Sequence, residues 1–121
     1  MRYLLLIYGD ESARPDGVPD DPEVSLKPWL EYGQWLTEKG WFVGGDALQP
    51  TATATTVRQR DGKLLTTDGP FAETKEQLGG YYMIQCDNLD QAIEAAARIP
   101  IVDMGSIEVR PIQEFPEAPA S

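Results

Sequence analysis

Residues Tyr3 to Tyr8 form an unbroken run of large apolar side chains. A strand with one wet face alternates apolar and polar positions. The unbroken run therefore predicts a strand covered on both faces, at the centre of a sheet. Helices can cover one face. In a chain of 121 residues, a second subunit is the simple cover for the other.

Gly9 to Asp21 is polar, holds Pro15, Gly17 and Pro19, and predicts a surface loop. A helix follows between Pro22 and Lys39. Proline is poorly tolerated in a helix interior, so its regular part is expected to start near Lys27 or Pro28, after a short turn. Trp29, Tyr32, Trp35 and Leu36 recur at three- and four-residue spacing and form its apolar face. Lys39 and Gly40 make its C-terminus. Trp41 to Leu48 reads as a second strand, interrupted by Gly44-Gly45, a pair that marks a bulge or a close backbone approach. Thr51 to Thr56 alternates Thr and Ala and is only weakly strand-like. Thr55 to Arg60, Asp61-Gly62 and Lys63 to Thr67 predict a hairpin around a two-residue turn. Asp68-Gly69-Pro70-Phe71 is a further turn. Ala72 to Leu78 reads as a charged loop ending at Gly79-Gly80, and Tyr81 to Cys86 as the next strand. Asn88 and Gln91 form a capping box for a helix with apolar positions Leu89, Ala92, Ile93, Ala96 and Ala97, stopped by Pro100. Gly105 to Ile112 alternates and makes the last strand, with Pro111 placing it at an edge.

The order is β, α, β, hairpin, β, α, β. Without the hairpin this is βαββαβ, the split βαβ arrangement of ferredoxin-like folds. The expected class is α+β, with two helices on one face of an antiparallel sheet. Two such sheets packed through their other faces would form a dimeric α+β barrel. The domain is expected over residues 1–113. Glu114 to Ser121 is a Pro-rich tail, or an arm onto a partner.

Charge narrows the function classes. Against 20 acidic residues stand 10 basic ones, a net charge of −10. Nucleic-acid binding needs a positive surface, and anionic membranes repel the same charge. Neither is expected as a partner. The apolar N-terminus is too short for a signal peptide and is followed by acids, and no stretch approaches the roughly 20 apolar residues of a membrane span. The single cysteine, Cys86, excludes an internal disulfide, suits a reducing cytoplasm, and sits in an apolar run as a small core residue. There is no histidine. The commonest general base, the usual zinc ligand and the triad partner are therefore missing. Ser12, Ser25, Ser106 and Ser121 lack a base, which disfavours covalent hydrolysis. No cofactor and no metal are expected.

The densest polar cluster is Asp68, Glu73, Thr74, Lys75, Glu76 and Gln77. A carboxylate beside Lys75 could do acid–base work if burial shifts it. The alternatives are a solvated loop with weak pairs and, for Asp68, a turn-forming side chain. Asp68, Lys75 and Glu76 are the candidate catalytic residues. Gly45, Asp46, Tyr81 and Arg110 are the candidate ligand-binding residues. The two glycine pairs could let a ligand approach the backbone, or serve bulges alone, and they do not form a phosphate loop. Asp10, Glu11, Asp46, Glu73 and Glu76 could converge on a hard cation, although acids are common in this chain. Glu108 and Arg110 share a strand face, lining a cleft or pairing in solvent. Trp29, Trp35 and Trp41 read as core or interface.

Gly44-Gly45-Asp46-Ala47-Leu48, the segment from Asp68-Gly69-Pro70-Phe71 through Gly79-Gly80-Tyr81, the opening Tyr3 to Glu11, and Glu108-Val109-Arg110-Pro111 together resemble the DGPF-domain branch of the YCII-related family, over residues 1 to about 112. The resemblance implies a ferredoxin-like fold, a dimeric α+β barrel, and an activity that is largely unassigned. The founding branch carries a His–Asp pair proposed as its active site, which has no counterpart in a chain without histidine. Bacterial members of the DGPF branch are often encoded beside extracytoplasmic-function sigma factors. Two functions follow as expectations. One is a small-molecule site, enzymatic or purely binding, beside the Asp68–Phe71 loop. The other is a non-catalytic partner protein acting with a sigma factor.

Overall fold

The computed structural model describes residues 1–11 and 22–116, with residues 22–25 described by backbone alone. The loop expected over Gly9 to Asp21 lies mostly outside the described residues, as does the tail beyond residue 116. The chain runs β1 (Arg2–Gly9), α1 (Pro22–Glu38), β2 (Phe42–Ala47), β3 (Thr55–Arg60), β4 (Lys63–Asp68), β5 (Gln77–Gln85), α2 (Leu89–Ala97) and β6 (Ser106–Pro111). A short 3-10 turn covers Thr51–Thr53.

Four strands form an antiparallel sheet in the order β2-β5-β1-β6, and β3 and β4 form a separate two-stranded sheet. Each βαβ unit has one strand of the other between its parallel strands, consistent with a ferredoxin-like α+β fold. β1 is central and β6 is an edge strand, where Pro111 costs no ladder bond between neighbours. Among the described residues no helix is long and apolar enough to cross a membrane.

The two faces of β1 differ. Tyr3, Leu5 and Ile7 are buried against the helices, while Leu4, Leu6 and Tyr8 are only half-buried. Register extends this division across the sheet. Tyr82, Ile84, Ile107 and Val109 lie opposite the buried set, whereas Tyr81, Met83, Glu108 and Arg110 lie opposite the other. The helix-side core joins Tyr3, Leu5, Ile7, Ile84 and Cys86 to Tyr32 and Leu36 of α1 and to Ala92, Ala95 and Ala96 of α2, with Ile99 beyond it. Trp29, Trp35 and Trp41 pack around its margin.

Three expectations about the elements change. First, α1 begins at Pro22 and contains Pro28 in its interior. One lost bond and the ring's clash cost about 3 kcal/mol, which burial of Tyr32 and Leu36 at roughly 1.5–3 kcal/mol each can offset. Second, β5 begins at Gln77, so Gly79-Gly80 lies inside a strand and does not end a loop. Gly79 is the extra residue where pairing shifts from Ile7↔Gly80 to Tyr8↔Leu78. A similar shift falls between Phe42 and Gly44, so both irregularities sit at glycine pairs. Third, α2 buries Ala92 and Ala96 as expected, together with Ala95, while Leu89, Ile93 and Ala97 are exposed. The Tyr32 hydroxyl of α1 reaches the Ala95 carbonyl of α2 and donates to it at 2.7 Å.

The helix ends follow their expected chemistry. Trp41 N–H donates to Leu36 O and Gly40 N–H to Thr37 O, each at 3.0 Å, with Gly40 at φ 75°, which is a Schellman stop. Asn88 Oδ1 accepts from Gln91 N–H at 3.0 Å. Gln91 Oε1 in turn accepts from Asp87 N–H at 2.8 Å, one residue earlier than a capping box requires. At the hairpin, Asp61 (φ 51°) and Gly62 (φ 75°) both take the left-handed conformation of a type I′ turn.

Candidate functional site

A cavity of about 490 Å³ opens between the start of α1 and the adjoining ends of β1, β2 and β5. Ile7, Ala47, Tyr82 and Ile101 supply apolar walls, and Leu26 and Trp29 of α1 close it from above. The Trp29 and Tyr82 rings are nearly parallel, 13° apart with centroids at 6.4 Å, and Tyr82 meets Tyr32 edge-on at 5.1 Å. Its strand backbones approach closely. A Cβ at Gly80 would stand 3.0 Å from Asp46 O, and one at Gly45 would stand 2.8 Å from both Tyr81 O and Tyr82 Cδ1. The site is therefore built around glycine-permitted strand contact.

Its mouth is held by polar side chains. Glu11 N–H donates to Gln77 Oε1 at 3.0 Å. The Glu11 carboxylate accepts from Thr51 N–H at 2.9 Å and Thr51 Oγ1 at 2.8 Å. Gln77 Nε2 donates to Thr74 O at 2.6 Å. These bonds tie the end of β1 to the turn before β3 and to the loop before β5. On the open sheet face, Tyr81 donates its hydroxyl to Asp46 Oδ2 at 2.8 Å. That bond and the Asp46 charge push the Tyr81 phenol above its ordinary value.

A second, more polar groove lies beyond Gln77 and is bordered by Thr51, Asp68, Pro70, Glu73 and Thr74. Its wall is the turn Asp68-Gly69-Pro70-Phe71, which is strapped by main-chain groups. Gly69 N–H donates to Ala54 O at 2.6 Å, Thr56 Oγ1 to Gly69 O at 2.8 Å, and Arg58 Nη2 to Phe71 O at 3.0 Å. Gly69 sits at φ 96°, a conformation that favours glycine.

Residues 1–116 match the YCII-related domain. The chain belongs to the YCII-related family. It is also 37% identical over 114 residues to an uncharacterised protein of Rhizobium meliloti, an alignment spanning 93% of this chain and 92% of that relative.

Within this YCII-related domain the candidate residues fall in several places. Gly45, Asp46 and Tyr81 border the cavity, and Asp68 borders the second groove. Lys75 is exposed and Glu76 half-buried in the loop before β5, and they border neither. Arg110 pairs with Glu108 on the open sheet face, as their shared parity on the strand predicts. Among the described residues no three His, Cys, Asp or Glu side chains are grouped to hold a metal ion, so Asp10, Glu11, Asp46, Glu73 and Glu76 do not form a cation cage. Cys86 is buried, and burial raises its thiol above the ordinary value.

Trp29 and Tyr82 were not anticipated as cavity residues, while Glu11 and Gln77 were singled out only as a possible cation ligand and as a member of the polar loop cluster. Glu11 and Gln77 lie where two antiparallel strands end side by side, Gly9 opposite Gln77, and polar residues at such paired ends are the available signal. Trp29 and Tyr82 look like ordinary core residues in sequence. Only the gap between helix and sheet turns them into cavity walls.

Proposed function

We propose that this protein binds a small molecule in the cavity between α1 and the sheet, and that it works as a cytoplasmic homodimer of the DGPF branch. The observation that carries the binding reading is the cavity itself. Its volume, about 490 Å³, lies within the range of small-molecule sites, and its mostly apolar lining with few polar groups at the mouth is typical of them. Asp68, Lys75 and Glu76 are the proposed acid–base residues of the adjoining loop, which shares Gln77 with the cavity. Dimerisation is supported by the open sheet face, where Leu4, Leu6, Tyr81 and Met83 are only half-buried in one chain. Two such faces packed together would make the α+β barrel, with the hairpin β3–β4 as an insertion outside it. The branch assignment is supported by the Asp68–Phe71 turn and the glycine pairs.

The test is a thermal-shift screen of small molecules against the parent, Asp68→Ala and Lys75→Ala. A ligand at about 100 times its Kd stabilises the folded chain by roughly 2.7 kcal/mol. A catalytic loop predicts that turnover of such a ligand disappears in the two variants while its binding persists. A library that stabilises nothing defeats the binding reading. Light scattering that gives 13.4 kDa at micromolar concentration defeats the dimer.

A further inference from the structure

We infer that the ligand of this cavity is a planar aromatic molecule without negative charge; the inference rests on the binding reading above and names its chemical class. The walls that meet a ligand are flat and apolar, with the Trp29 indole beside Tyr82 and the aliphatic Ile7, Leu26 and Ile101 around them. Aromatic faces favour offset or edge-on rings, and their negative π-clouds attract cations. The Glu11 carboxylate stands at the mouth of the cavity, whereas the Asp46 carboxylate is turned to the open sheet face, and among the described residues no Lys or Arg borders the cavity. Glu11 is held by the neutral donors of Thr51. These hydrogen bonds fix the carboxylate in place without cancelling its charge. An anionic ligand would bring its charge into an apolar space beside this fixed negative charge. Among the described residues a carboxylate or phosphate ester would also find no Arg or Lys fork to receive it.

Two dyes that share one ring skeleton test this. N-Phenyl-1-naphthylamine is uncharged, and 8-anilino-1-naphthalenesulfonate is the same molecule with a sulfonate. Their emission rises in apolar surroundings, so each is titrated into the parent, Leu26→Gln and Glu11→Gln at low salt. Leu26 is 53% exposed and lines the cavity, so its replacement removes apolar wall without threatening the fold. The expected result is at least tenfold tighter binding of the uncharged dye. Leu26→Gln should weaken that binding at least threefold. Glu11→Gln should strengthen sulfonate binding at least threefold relative to the uncharged dye, and so narrow the gap, as added salt should also do. Leu26-sensitive binding of both dyes with equal affinity overturns the ligand class and leaves the cavity reading intact. A gap unchanged in Glu11→Gln overturns the electrostatic cause, and the ligand class with it. Absence of Leu26-sensitive binding by either dye overturns the cavity reading and the ligand class together.

Discussion

Gly44 and Gly45 are adjacent in β2, yet the same substitution should act oppositely at each. A Cβ at Gly45 would stand 2.8 Å from Tyr81 O, 2.8 Å from Tyr82 Cδ1 and 3.3 Å from Tyr82 Cα. Two of these three atoms are β5 backbone, so relief requires the strands to part or the Tyr82 ring to move into the cavity. Overpacking of this kind costs about 1–3 kcal/mol. Replacing glycine also removes unfolded-state freedom, which stabilises by about 0.4–1 kcal/mol. The net expectation for Gly45→Ala is a loss of about 1–2 kcal/mol. At Gly44 nothing lies within 4 Å of an added Cβ, so only the favourable part remains. The two variants should then differ by about 2 kcal/mol, or roughly 6–12 °C in Tm for a domain of this size.

The assay is urea denaturation of parent and both variants, with calorimetry for Tm. The slope with urea should be unchanged, because neither variant alters the surface exposed on unfolding. Uncharged dye should bind Gly45→Ala more weakly, since the Tyr82 wall is displaced, and Gly44→Ala like the parent. Gly44 is opposite Met83, on the face assigned to the dimer. If a second copy covers it, Gly44→Ala shifts the dimer–monomer midpoint while the monomer's own stability holds. A Gly45→Ala chain as stable as the parent, or a Gly44→Ala monomer equally destabilised, would refute the close-approach account of the glycine pair.

Asn88→Ala removes the side-chain oxygen that accepts from Gln91 N–H, and should cost about 1 kcal/mol by urea denaturation. Burial pushes the Tyr32 phenol well above its ordinary value. Its contribution to stability is complete below the unfolded-state pKa of about 10 and falls as pH rises towards the raised folded value. Tyr32→Phe loses the bond to Ala95 O but should show a shallower fall in stability between roughly pH 10 and pH 12; equal slopes would contradict the burial account. Burial also raises the Cys86 thiol, so a disulfide reagent at mild alkaline pH should label it only after denaturant is added. Labelling at the rate of an exposed thiol would show that the Cys86 pocket opens readily.

The fold was largely legible because its main signals are local. The Tyr3–Tyr8 run marked the central strand, Asp61-Gly62 marked the hairpin, and Lys39-Gly40 and Asn88 marked helix ends. Signals that depend on tertiary packing misled. The apolar spacing of α2 picked out Ala92 and Ala96, which are buried, but also Leu89, Ile93 and Ala97, which are exposed, and it missed the buried Ala95. Alanine carries little hydrophobic signal of its own, so spacing alone does not decide which of several alanines faces the core. Gly79-Gly80 read as a stop because glycine weakens strands. In the fold Gly80 is required by the Asp46 carbonyl 3.0 Å from where its Cβ would be, a constraint imposed by another strand.

The candidate site was legible only in pieces, and sheet geometry explains why. Parity along a strand predicted that Glu108 and Arg110 would share a face, which they do. Parity does not say how many strands separate that face from β2. The order β2-β5-β1-β6 puts three interstrand steps between β2 and β6, about 14 Å at the usual strand spacing. Arg110 is opposite Leu4, which is opposite Met83 and then Gly44. Its guanidinium therefore starts on the far edge of the sheet from Asp46 and cannot join Asp46 and Tyr81 in one contact within a single chain. It also lies on the face away from Trp29 and Tyr82. A ligand site that uses both Arg110 and Asp46 would need two open faces brought together, so that one chain's β6 lies near the other's β2. Arg110→Ala then becomes diagnostic. If it weakens ligand binding only at concentrations where the protein is dimeric, the site is shared between subunits. If binding is unchanged at every concentration, the cavity of a single chain is the whole site.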